Sequence, residues 1–176
     1  ITDGDILRLQ AYSPQQLVLD IERARDQNEL KAVYDRIQGL VLHLTSSGTS
    51  TREMVRLIAH LNDQILLRLI ALLRQQRFPE LPERFALVVL GSEGRGEQTL
   101  LTDQDNAIVY DDDLDAGQIR QIEEFSEELI AALIAIGIPP CPGGIMANNQ
   151  EWRRSLSQWT EQLNNWLRTP SPAHVL

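Results

Sequence analysis

The apolar pattern of this chain changes period once, at Pro79 and Pro82, and that change calls for two architectures in succession. Before it, apolar residues recur at three and four, the spacing of amphipathic helices; after it come short continuous apolar runs of strand length. Ser13 precedes Pro14, a favourable cap and first position, and Leu17, Leu19, Ile21 and Ala24 give the first helix an apolar side. A second spans about 28–44, with Leu30, Val33, Ile37, Leu40, Val41 and Leu44. Gly48 interrupts, Thr49 or Ser50 caps, and a long third helix follows. Its Met54, Leu57, Ile58, Leu61, Ile65, Leu69 and Leu73 cover more than half its circumference, so it is expected between other helices or against a partner chain. Short connections make this an antiparallel bundle over residues 13–77. His43 and His60 lack ligand spacing and read as structural.

Beyond Pro82, Phe85–Leu90 reads as a central strand buried on both faces, and Asn106–Tyr110 as a second. Three aspartates, 111–113, make an acidic turn, Gln118–Ile136 an amphipathic helix, and 137–144 a proline- and glycine-rich loop. Ile145–Ala147 is expected as a short third strand. A last helix over about 150–167 carries Trp152, Leu156, Trp159, Leu163 and Trp166 as one packing stripe. Arg153 and Arg154 point away from that stripe and could reach an anion.

With 176 residues, 43% hydrophobic and 23% charged, the chain suits one globular unit or a helical piece joined to a small α/β piece. No apolar run reaches the ~18–20 residues of a membrane span, and no signal-peptide pattern stands at the start, so a cytoplasmic protein is expected. A net charge of −9 argues against coating long nucleic acid, though not against a nucleotide. Cys141, the single cysteine, can form no internal disulfide and has no second cysteine for a zinc site.

The segment from Leu90 to Val109 carries the chemistry. A strand runs into glycines at 91, 94 and 96, which allow positive φ and bring backbone N–H groups close to an anion. Ser92 adds a hydroxyl and Arg95 a planar cation, so Gly91, Ser92, Gly94 and Arg95 suit a triphosphate tail. Asp103 and Asp105, two apart in extended chain, project to one face and favour a divalent metal. The glycine spacing is neither that of a dinucleotide fold nor that of a P-loop.

A strand ending in Gly-Ser, then Gly-Arg, Glu, Thr-Asp-x-Asp and a second strand resembles the nucleotidyltransferase module of the PII-protein uridylyltransferase and glutamine-synthetase adenylyltransferase group, within the DNA polymerase β-like superfamily. It is most similar to the nucleotidyltransferases found behind CBS and cyclic-nucleotide-binding domains in bacterial signalling proteins. Ile1–Arg8, with Thr2 and Asp5, resembles the end of a CBS domain. The resemblance implies an α+β fold: residues 1–12 as the tail of a CBS domain, 13–77 as a helical bundle, and 78–176 as a nucleotidyltransferase domain cut short at its C-terminal side, with a short mixed sheet flanked by helices. It implies that Gly91 and Ser92 hold the phosphates of a nucleoside triphosphate, and that Asp103 and Asp105 are catalytic and bind two Mg2+ ions. A protein acceptor, regulatory CBS domains and a homodimer are the expected partners. The third carboxylate of such enzymes is absent from Ile145–Ala147; Glu151 is the nearest substitute metal ligand, although it also suits a helix start. A catalytically silent nucleotide-binding module and a helical dimerisation scaffold remain open as alternatives.

Overall fold

A computed structural model describes residues 13–46, 50–97 and 103–169. The CBS-like segment around Thr2 and Asp5, and Thr102 of the Thr-Asp-x-Asp motif, lie outside the described residues. Helices α1 (Pro14–Arg23), α2 (Gln27–Ser46) and α3 (Thr51–Gln76) come first. Strand β1 (Phe85–Val89), the one-turn α4 (Gly91–Gly94), β2 (Asn106–Tyr110) and α5 (Ala116–Ile136) follow. A 3-10 turn (Gln150–Trp152), β3 (Arg153–Ser155) and α6 (Leu156–Arg168) complete the fold. It is the α+β architecture expected, with a helical part ahead of a small mixed sheet. Among the described residues no helix is long and apolar enough to cross a membrane.

The bundle forms because each helix turns a periodic apolar face inward. Leu17 and Ile21 of α1, Leu30, Val33, Ile37 and Leu40 of α2, and Leu61, Ile65, Leu69 and Leu72 of α3 are all buried. Arg68 reaches from α3 to the C-terminus of α1, donating to Ala24 O at 2.8 and 2.6 Å, and Arg36 pairs with Asp20 at 2.6 Å. His60 is exposed.

The sheet order is β1-β2-β3. β1 runs antiparallel to β2, Leu87 opposite Ile108, and β3 runs parallel to β2, Arg153 beside Ile108. The expected central strand is therefore an edge: β1 is only half-buried, and β2, with partners on both sides, holds the middle. The third strand is also displaced. At 145–147 the chain closes turns on itself, Met146 N–H to Gly144 O and Asn149 N–H to Met146 O, so a three-residue strand forms only at Arg153–Ser155. The last helix accordingly starts at Leu156 and not near Gln150.

α5 is set by a capping box between Asp115 and Gln118 and ended by Gly137 at φ 119°, a left-handed conformation that glycine adopts without strain. Its Phe125 is fully buried, edge-on to Phe78 and Phe85 at 5.6 and 5.8 Å. Leu129, Ile130 and Leu133 continue into the same core as the bundle, which runs unbroken from Leu17 to Ala147. The three tryptophans pack pairwise at 5.8–6.3 Å, and Trp159 donates to Ile108 O at 2.9 Å, so Trp159 seats α6 on the sheet. Leu156 and Leu163 of the expected stripe are exposed, because Trp152 precedes the helix and the stripe is not one helical face.

Candidate nucleotide and metal site

β1 delivers the chain to α4, and α4 is a tight turn because its glycines are. Gly91 sits at φ 54° and Gly96 at φ 63°. A Cβ on Gly91 would collide with Asp105 Oδ2, and one on Gly94 would lie 2.7 Å from Val89 O. Two of the three glycines thus supply positive φ, whereas Gly94 permits a close backbone approach. The turn is closed by Gly94 N–H to Leu90 O at 2.9 Å and Glu97 N–H to Ser92 O at 2.8 Å. Ser92 is half-buried within it; Arg95 is exposed and paired with Glu97 at 2.8 Å.

Opposite the turn, the stretch leading into β2 carries the two aspartates. Leu90 N–H donates to Asp105 O at 2.8 Å, and the backbone of Gln104 between them pairs in parallel with Pro140. Ligand atoms of Asp103 and Asp105 converge as their spacing requires. A third atom lies with them: Asp103, Asp105 and Cys141 each place one within 4.8 Å of the other two. Cys141 arrives because the loop after α5 is tied to the start of β2, through Gln104 N–H to Pro139 O at 3.1 Å, Asn106 N–H to Ile145 O at 3.0 Å, and Ala147 N–H to Asn106 Oδ1 at 2.8 Å. Cys141 is buried; its thiol donates to Asp105, and its sulfur accepts from the N–H groups of Gly143 and Ile145. Burial, and next the contact with Asp105, push the thiol above its ordinary range, while the two N–H groups pull it down.

Glu93 is the second residue that sequence reasoning passed over. It projects from α4, half-buried, with the charges of Asp63 on α3 and Asp105 near it. Burial first, then those two charges, push it up to about 7. A carboxylate inside a glycine turn directly after a strand was the available signal. For Cys141, the signal was a cysteine set between prolines and glycines in a loop too constrained to be a plain linker.

Glu151 is not among the converging atoms. It is exposed at the 3-10 turn, where its N–H caps onto Asn149 Oδ1, and it lines a separate cleft of about 310 Å3 with Glu123, Arg153 and Arg154. Arg153 is not free to reach an anion: buried, it donates to Glu123 at 2.9 Å, Ala147 O at 2.9 Å and Ser126 Oγ at 3.2 Å.

The donor set suits a divalent cation, since two carboxylates closing on one point repel unless a cation lies between them. A glycine turn, a hydroxyl and an arginine stand beside it. The family model described as "Putative nucleotidyltransferase DUF294" matches residues 35–173. Comparison with curated proteins and with solved structures gives no match.

Proposed function

The chain belongs to the DUF294 nucleotidyltransferase family, and from that premise we propose that it transfers a nucleoside monophosphate from a triphosphate to an acceptor hydroxyl, with Asp103 and Asp105 as the catalytic metal ligands. The convergence of these two carboxylates beside the Gly91–Gly94 turn carries the reading. In the reaction, the acceptor oxygen forms a bond to the α-phosphorus, the bond to the bridging oxygen breaks, and pyrophosphate departs while the hydroxyl proton passes to solvent. A divalent cation held there would supply charge neutralisation and acidify the attacking hydroxyl. The chain's own residues position the reactants. Gly91 and Gly94 admit the phosphates close to backbone, Ser92 and Arg95 hold them, and Asp103 and Asp105 fix the cation. The resemblance to PII-protein uridylyltransferases favours a protein acceptor, regulation by CBS domains and a cytoplasmic setting.

A second reading has one observation behind it. Among the described residues, the third ligand atom converging with the aspartates is sulfur, not the carboxylate of active polymerase β-like enzymes, which favours a module that binds nucleotide without turning it over. Pyrophosphate release by the wild type separates the two, and Asp103→Asn and Asp105→Asn test the site that both share. For the enzyme, each abolishes both Mg2+-dependent triphosphate binding and pyrophosphate release. For the silent module, wild type binds triphosphate and releases no pyrophosphate with any acceptor protein. Triphosphate binding that survives both substitutions removes the site assignment altogether.

A further inference from the structure

We propose that Cys141 is a third metal ligand and that Asp103, Asp105 and Cys141 form a mixed oxygen–sulfur centre taking a thiophilic divalent cation, such as Zn2+ or Co2+, in preference to Mg2+. This rests on the reading of the aspartates as a metal site. Three observations carry it. The three ligand atoms already lie within 4.8 Å of one another, and a tetrahedral cation with such ligands holds O and S about 3.6 Å apart, so side-chain torsions close the set. The sulfur is buried and its thiol is directed at Asp105, towards the point where the carboxylates meet. Its other side receives N–H groups from Gly143 and Ile145, the outer donors that hold a metal-bound thiolate in orientation.

The ligand chemistry then selects the cation. Mg2+ demands an octahedron of oxygens, and a sulfur in its shell is a poor substitute for water. Thiolate ligands favour softer first-row metals, and three protein ligands leave an open position for a phosphate oxygen. As the sulfur–metal bond forms, the thiol proton is released to solvent. The rigidity of the loop supports the assignment. Gly144 N–H to Cys141 O at 3.0 Å and the ties to Gln104 and Asn106 fix Cys141 where it stands.

Co2+ is the probe, titrated into the full chain with Mg2+ as competitor. The expected result is a near-ultraviolet thiolate-to-cobalt charge-transfer band in the wild type that excess Mg2+ does not remove. Cys141→Ser loses the band and binds Co2+ at least about ten-fold more weakly, the loss typical of disturbing even an outer contact to a ligand. Because the band is read in the wild type, the test stands even if the serine variant folds poorly. Co2+ binding without the band, or a band that persists in Cys141→Ser, overturns the proposal. If Co2+ fails to bind while Mg2+–triphosphate still binds wild type and not Asp105→Asn, the sulfur ligand falls and the aspartate site stands. If neither binds, both readings fall.

Discussion

Glu93 places a proton-holding carboxyl where three acids meet, and the sign of its effect on stability follows from the direction of its shift. Its proton affinity in the folded protein, raised to about 7 from 4.5, exceeds that of the unfolded chain. Between those values the native state binds more protons, so its contribution is fully present below about 4.5 and is lost as pH rises through about 7. The difference corresponds to at most ~3.5 kcal/mol, at ~1.4 kcal/mol per tenfold change in proton affinity, and less for a half-buried group. Glu93→Gln is therefore expected to leave the melting temperature near pH 4 almost unchanged and to raise it at pH 8, by about 2–4 °C for each kcal/mol recovered. A lower melting temperature for the variant at pH 8 would mean that Glu93 is ionised and paired. A cation at Asp105 opposes the same repulsion, so metal should stabilise wild type at pH 8 more than it stabilises Glu93→Gln.

At the scale of the element, β3 depends on one buried cation. Arg153 joins the strand to Ser126 and Glu123 of α5 and to Ala147 of the preceding loop. Arg153→Met keeps much of the side-chain volume but strands the Ala147 and Ser126 acceptors. Because Glu123 is half-exposed and water can solvate it, the expected cost lies at the lower end for a buried pair, about 2–3 kcal/mol by urea denaturation. A loss under ~0.5 kcal/mol would show the network to be incidental. This network also explains what the sequence could and could not tell. Helices announce themselves locally: the period of Leu61, Ile65, Leu69 and Leu72 is visible without any partner, and so is the strand–turn–strand around Asp103 and Asp105. β3 has no such signal, since Arg-Arg-Ser has neither apolar content nor alternation, and its burial is conferred by an acid thirty residues earlier. The edge position of β1 was hidden for a related reason. A run of apolar residues reports that a strand has covered faces, not how many neighbours it hydrogen-bonds. Cys141 could be marked by its loop but not placed beside Asp103 and Asp105, because the aspartates lie some forty residues earlier, ahead of β2, and the loop's path is set by Asn106.

Across the whole molecule, the helical part and the sheet share one hydrophobic interior, and this governs how the site and the fold communicate. Leu17 and Leu61 of the bundle, Ile108 of the central strand and Phe125 of α5 belong to a single buried cluster. Asp63 adds a polar link, since it stands on α3 and acts on Glu93 beside the site. The surplus apolar surface expected on α3 is modest, with Leu67 exposed, whereas Leu156, Leu163 and Leu167 stand exposed on α6. With a continuous core, the two parts should unfold together. Far-ultraviolet circular dichroism weights the long bundle helices, while fluorescence reports the packed cluster of Trp152, Trp159 and Trp166, which Trp159 ties to Ile108 of β2. The two melting curves should coincide within about 1 °C, as a cooperative single transition requires. Ligand at the acid site should then shift both equally. Mg2+–triphosphate at a hundred times its dissociation constant adds ~2.7 kcal/mol, hence about 5–10 °C for a chain of this size. Loss of helical signal ahead of tryptophan fluorescence would show the bundle to be a separate unit. A ligand shift confined to fluorescence would say the same from the other side: binding at the Gly91 turn would stabilise the sheet and α6 without passing through α3.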